Sequence, residues 1–221
     1  LPRMFCQKAK ERVSHGEVLL PSGKGRSDDQ FLAVVHADGN GLGAILQKFL
    51  QATANPQDFF ETRLKFSQAL EQATCAAMRS ALLEIVKERS RGSDGKLVLP
   101  LRILILGGDD TTFVIRGDLA LSFTRNFLQA FEKETRKHLA DKTFKRFHSV
   151  PRQLTACAGI TYITPTQPFQ PAYELAESLC RHAKAGARKQ STETPSSLAF
   201  YRVTTTLKSS FDRIVAQELT T

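Results

Sequence analysis

The chain is short of several features that would direct its reading elsewhere. None of its four cysteines, Cys6, Cys75, Cys157 and Cys180, forms a C-x-x-C pair. Cys75 and Cys180 fall in helical patterns and Cys157 in a strand pattern. They read as reduced thiols of a cytoplasmic protein, not as a disulfide frame or a zinc site. No apolar run approaches the roughly 18 residues a membrane helix needs, so no membrane span is expected. No signal peptide is visible, no segment repeats, and no tract is of low complexity. The first methionine, Met4, follows Leu1, which leaves open that the chain is a piece of a longer protein.

What is present describes an ordinary globular protein. At 41% hydrophobic and 24% charged, the composition is not that of a disordered chain. The 221 residues suit one domain with decorations or one large α/β domain. The formal net charge of +9 favours polyanionic partners such as nucleotides or RNA, although a solvated basic surface gives the same number.

Residues 1–30 are polar, with a possible short helix over residues 4–13, and end in the loop-like PSGKGRSDDQ. They read as an N-terminal extension. Phe31–Ala37 is the first strand. Its adjacent Val34 and Val35 point to a central strand covered on both faces. Gly39, Gly41 and Gly43 break it, and Ala44–Gln51 is helical. After the Asn55-Pro56 turn, a long amphipathic helix runs from Phe59 to about Arg89, with Phe66, Leu70, Ala73, Ala77 and Ala81 inward. Arg89–Lys96 is a loop and Leu97–Leu106 the second strand. Gly107-Gly108-Asp109-Asp110 makes a hairpin turn into a third strand, Thr111–Arg116. Asp118 caps a helix running to about Leu139, and Asp141–Arg152 is basic and irregular. Leu154–Tyr162 is a strand with one strongly apolar face. Pro171 starts a helix that Gly186 or the following KQSTETPSS ends, and Ser197–Val203 is the last strand. Residues 204–221 form a short helix or a disordered tail. The fold class is therefore α+β, in the order β-α-α-β-β-α-β-α-β. Its heart, β-α-β-β-α-β, is ferredoxin-like: an antiparallel sheet with helices packed on one face.

In that arrangement the first and third core strands are neighbours. Asp38, ending the first, then converges on Asp109 and Asp110 at the start of the third. Carboxylates on rigid strand ends suit Mg²⁺ or Mn²⁺, which takes a few of them together with substrate phosphates. Gly39, Gly41 and Gly43 let backbone N–H groups approach phosphate oxygens. Read singly, Gly107-Gly108-Asp109-Asp110 is an ordinary tight turn. It is the pairing with Asp38, in strands of the right order, that suggests phosphoryl transfer. Lys184, near the end of a helix, is either a dipole partner or a cation for a triphosphate, helped by Arg188 or Lys189.

These pieces together resemble the palm domain shared by the GGDEF diguanylate cyclases and the large polymerase/cyclase subunit of type III CRISPR effector complexes. The resemblance covers residues 31–203. The turn is GGDD, not GGDEF, which points to the CRISPR-type palm. The segment Asp38-Gly39-Asn40-Gly41-Leu42-Gly43 is similar to that family's D-G-D-x-M-G. Ala176, Glu177, Leu179, Ala183 and Lys184 follow the A-E-x-L-x-x-x-A-K pattern of both families. The resemblance implies that Asp38, Asp109, Asp110 and the Gly39 carbonyl hold metal. It implies further that Lys184 meets the triphosphate, with Asn40, Gly107, Gly108 and Arg188 beside the nucleotide. ATP would be converted to a cyclic oligonucleotide messenger, in antiviral signalling in a prokaryotic cytoplasm. One palm offers one nucleotide, so a homodimer or a second palm domain is implied, with RNA or CRISPR-complex subunits as further partners.

The sequence departs from the pattern at Asn40, which stands where the family's second aspartate would be. Val98 and Leu101 occupy the Arg and Asp positions of the cyclases' product-inhibition motif, and no His-Asp dipeptide of the nuclease often fused to the CRISPR subunit is present. Three other readings stay open: a palm that binds nucleotide or RNA as scaffold or sensor, a GTP-using cyclase, and a ferredoxin-like RNA-binding module.

Overall fold

The computed structural model describes residues 7–8, 31–89, 99–148, 150–190 and 194–203. The helix expected within residues 4–13 is corrected at Gln7–Lys8, whose backbone pairs as a strand with Leu198 and Ser197. The rest of that stretch, the loop before the second strand, that strand's first residues and the tail beyond residue 203 lie outside the described residues.

The elements are β1 (Gln7–Lys8), β2 (Leu32–Gly39), α1 (Leu42–Ala52), α2 (Pro56–Arg89), β3 (Leu101–Gly107), β4 (Asp110–Arg116), α3 (Gly117–His138), α4 (Lys142–Lys145), β5 (Ala156–Ile163), α5 (Phe169–Gln190) and β6 (Ser197–Arg202). The sheet order is β1-β6-β5-β2-β4-β3. β2 lies in the middle, antiparallel to both β4 and β5. This is the ferredoxin-like α+β arrangement expected from the order of elements.

One feature of that expectation is corrected: the helices cover both faces of the sheet. Ala33, Val35 and Ala37 of β2 join the large core under α1, α2 and α3. Val34, between them, joins a second core under α5 with Cys157, Leu179 and Ala199. Side chains alternate along a strand, so the two cores lie on opposite faces. The cause is the last connection. β6 runs parallel to β5, so the chain must cross over the sheet between them, and α5 makes that crossing on the free face. β5 is correspondingly covered on both sides, and Cys157 and Thr161 are fully buried. At Gly159 a Cβ would lie 1.9 Å from the Ala176 carbonyl oxygen, so only glycine lets α5 sit this close.

The large core is aromatic. Phe49 meets Phe66 and Phe147 edge-on at ring separations of 5.2 and 4.9 Å, and Phe113 meets Phe123 at 5.2 Å. Each such buried ring is worth about 1.5–3 kcal/mol of transfer free energy. Phe144, Phe147 and Val150 also enter this core, so residues 141–152 are not simply irregular. Asp141 accepts from the Thr143 N–H at 2.7 Å and starts the short α4, and Arg146 pairs with Asp58. The apolar residues of this basic stretch decide its path.

Helix starts also differ from the expected ones. The cap position before α3 belongs to Arg116, and Asp118 lies in the first turn, paired with Arg116 at 2.6 Å. β4 runs into α3 without a loop, because the Gly117 N–H donates to the Phe31 carbonyl at 2.7 Å. α2 starts at Pro56, where Asn55 Oδ1 accepts from the Asp58 N–H at 2.9 Å. α5 starts at Phe169 and runs through Gly186 to Gln190. Among the described residues no helix is long and apolar enough to cross a membrane.

Candidate functional site

Three strands deliver the carboxylates to one end of the sheet. β2 pairs with β4 up to Ala37↔Thr111, and one further step sets Asp38 across from Asp110. On its other side Asp38 pairs with Cys157 of β5. Asp109 sits in the β3–β4 turn, which Gly107 and Asp110 close. That turn packs on Gly39: a Cβ there would be 2.7 Å from Asp109 Cβ and 3.3 Å from Asp109 Oδ2. The glycine after Asp38 is thus what admits Asp109. From the other side, the buried Thr74 of α2 donates to the carbonyl of Gly108, as well as to that of Leu70 at 2.9 Å.

The crowding shows in the acidities. Burial pushes the Asp109 carboxyl up to about 6, and the charge of Asp38 and a hydrogen bond with it add to the rise. Its own backbone N–H and Lys184 oppose the shift. Asp110 is also raised, by burial first, with Asp38 and Glu177 adding and His36 opposing. His36 Nδ1 lies 3.1 Å from Thr112 Oγ1 and 3.5 Å from Asp110 Oδ1, and its ring is edge-on to Tyr173 at 5.8 Å. Asp110 Oδ1 is shielded from solvent and makes no hydrogen bond.

Lys184 reaches this end of the sheet from α5. Its Nζ donates to Asp38 Oδ2 at 2.6 Å and to the Gly39 carbonyl at 2.7 Å. Arg188 is exposed one turn further along the helix. Asn40 is buried and engaged with β5: its side-chain amide donates to Thr155 Oγ1 at 3.0 Å and Cys157 Sγ at 3.5 Å. Thr155 Oγ1 spends its own proton on the Thr194 carbonyl. An amide can donate to that oxygen and a carboxylate cannot, so asparagine suits this position. Gly41, with φ 76°, is the N-cap of α1, which has no side-chain cap and no acidic residue in its first turn. Gly43 is exposed in that turn. The first amides of α1 are therefore open to an anion.

The structure thus gathers Asp38, Gly39, Asp109, Asp110 and Lys184, with Gly107 and Gly108 in the same turn, and sets Gly41 and Gly43 at the adjoining helix start. Asn40 holds a strand instead, and Arg188 stands apart. Sequence reasoning missed Thr74, Tyr173 and Thr155 as neighbours of the site. It reads Glu177 only as a member of the α5 motif, although its charge acts on Asp110. Thr74 carried a signal: it is a polar residue four positions after Leu70 on the inward stripe of α2.

The donors fit a hard divalent cation only in part. Among the described residues no three His, Cys, Asp or Glu side chains stand together as a metal-holding group. The site offers two neighbouring carboxylates, Asp38 and Asp109, whose proximity adds to the burial-driven rise in the Asp109 pKa, the Gly39 carbonyl, and the unsatisfied Asp110 Oδ1. Mg²⁺ and Mn²⁺ accept such a set when phosphate and water supply the remaining ligands.

Residues 31–193 match the family model described as Cas10/Cmr2, second palm domain. No match was found among curated proteins. Solved structures with a similar fold include the Csm1-Csm4 cassette in complex with cA3, at 16% identity over 71% of this chain and 19% of that one, with a TM-score of 0.48. The cassette in complex with pppApA gives the same identity, coverages and TM-score. The apo cassette, at 16% identity, covers 72% and 19% with a TM-score of 0.44. The chain spans about a fifth of the length of these chains.

Proposed function

The chain belongs to the Cas10/Cmr2 second palm domain family, the palm of the large subunit of type III CRISPR effector complexes, and we propose that it binds ATP with Mg²⁺ or Mn²⁺ and joins nucleotides into a cyclic oligonucleotide. The observation that carries this reading is the convergence of Asp38, Asp109 and the Gly39 carbonyl beneath an open helix start. Asp38, Asp109, Asp110 and Gly39 would hold the metal, which when bound would polarise the α-phosphate and the attacking 3′-hydroxyl. The α1 amides of Gly41–Gly43 receive phosphate oxygens, and Lys184 takes up charge on the triphosphate. Positioning and charge neutralisation supply most of the rate in such a site. The second nucleotide comes from a partner palm, either a second copy of this chain or another domain, and other CRISPR-complex subunits are further partners.

A second reading is a palm that binds nucleotide without turnover. Two observations favour it: Lys184 already neutralises Asp38, and no three-residue ligand group is formed among the described residues. Incubation with ATP or GTP and Mg²⁺ or Mn²⁺, followed by mass spectrometry, separates the readings. An oligonucleotide plus pyrophosphate, lost in the Asp109→Ala/Asp110→Ala variant, supports the enzyme and names its base. Bound but unchanged nucleotide supports the second reading.

A further inference from the structure

We propose that Lys184 is a resident counter-cation that competes with the metal: in the nucleotide-free protein its ammonium occupies Asp38 Oδ2 and the Gly39 carbonyl, and metal binding has to displace it. The proposal rests on the metal reading above and deepens it.

The contacts at 2.6 and 2.7 Å are both full hydrogen bonds. Mg²⁺ needs oxygens at about 2.0–2.1 Å, so a metal taking this pair while Nζ remains in contact with both would bring two cations onto the same oxygens against their Coulombic repulsion. The lysine side chain is the more sequestered partner, at 16% exposure against 40% for Asp38. The helix behind it is fixed: Ala183 and Ala187 are buried in the α5 core, and Gly159 admits the backbone of α5 at close range. Displacement is therefore a swing of the flexible four-carbon side chain, not a movement of the helix.

The freed ammonium must find a new anion, since its former partners are now neutralised. A triphosphate beside Asp38 supplies one, and bare metal does not. Metal alone thus competes with Lys184, whereas metal arriving with a triphosphate gives the lysine a second place to bind. Metal and nucleotide then strengthen one another's binding, and by linkage the effect is equal in both directions. The α5 lysine becomes the element that keeps the site from loading with metal before nucleotide is present.

The test is a titration with Mn²⁺ alone, followed by electron paramagnetic resonance of the free ion. It compares the unaltered chain with Lys184→Met and Lys184→Arg, each checked for cooperative thermal unfolding. Removing a competing charge in contact with the ligand pair should tighten Mn²⁺ binding about tenfold in Lys184→Met. Lys184→Arg should stay close to the unaltered chain. In the presence of ATP the Lys184→Met advantage should vanish. Lys184→Gln, also uncharged, gives the same reading should the methionine variant not fold. Equal or weaker Mn²⁺ binding by the uncharged variants, without nucleotide, overturns the proposal. Absence of Mn²⁺ binding in every variant, with and without ATP, overturns the metal reading on which it rests.

Discussion

Lys184 Nζ lies 2.6 Å from Asp38 Oδ2, closing a contact between α5 and the end of β2 across 146 residues of sequence. α5 is the element whose placement on the free face of the sheet makes this contact possible. Under the proposed function the same ammonium faces the triphosphate. Lys184→Ala is therefore expected to raise the KM for nucleoside triphosphate more than it lowers stability, because a partly exposed ion pair contributes little, about 0–1 kcal/mol. Steady-state kinetics with thermal unfolding measures both, and an unchanged KM would return Lys184 to a purely structural role.

Asp109 is held against its preference. Replacing it with alanine removes a carboxylate that burial and Asp38 disfavour. The expected result is loss of turnover with stability within about 1 kcal/mol of the unaltered chain. Full activity in Asp109→Ala would remove the carboxylate from the reaction.

The same residue makes stability depend on pH. In the metal-free protein the folded state keeps the Asp109 proton up to about pH 6, whereas the ordinary value is 3.8. Between these values the folded state binds more protons than the unfolded state. Asp109's contribution is complete below the lower value and is lost as pH rises through the upper one. Urea unfolding in EDTA should show the unaltered chain losing about 1 kcal/mol more than Asp109→Asn between roughly pH 4 and pH 7, after allowance for solvent screening. Parallel curves for the two proteins would refute the assignment.

Thr74 holds the GGDD turn through the Gly108 carbonyl. Thr74→Val keeps the shape but loses the donor, at a cost of about 1–3 kcal/mol. Metal-dependent nucleotide binding should weaken as the turn loosens, and Thr74→Ser should restore it. If serine restores stability but not nucleotide binding, Thr74 serves the fold alone.

Asn40 fastens the end of β2 to β5. Asn40→Asp places a carboxylate against Thr155 Oγ1, whose proton is committed to Thr194. The variant should be less stable by about 1–3 kcal/mol, read from its unfolding midpoint. A more stable Asn40→Asp would contradict the hydrogen-bond assignment.

Much of this architecture was legible in the sequence. Apolar runs marked the strands, and their order alone set Asp38 beside the GGDD turn. Adjacent Val34 and Val35 announced a strand covered on both faces. What periodicity could not say was which helix covers which face, because an inward stripe looks the same on either side. The opposite placement of α5, and with it the Lys184–Asp38 contact, follows from a parallel β5–β6 pairing that only the folded chain shows. The helical turn at Lys142–Lys145 was hidden because basic residues outnumber the phenylalanines that anchor it. The role of Asn40 was hidden because motif comparison registers a missing carboxylate, whereas the structure shows a donor in use.

Under the proposed function nucleotide binding needs only one palm, whereas turnover needs a partner, so binding is the more direct test of the site. Calorimetric titration of ATP into the purified chain should show binding in Mg²⁺ or Mn²⁺ that is lost in EDTA and in Asp38→Asn/Asp109→Asn. Equal affinity in EDTA, or undiminished binding by that variant, would contradict the assignment of these carboxylates to a metal–nucleotide site.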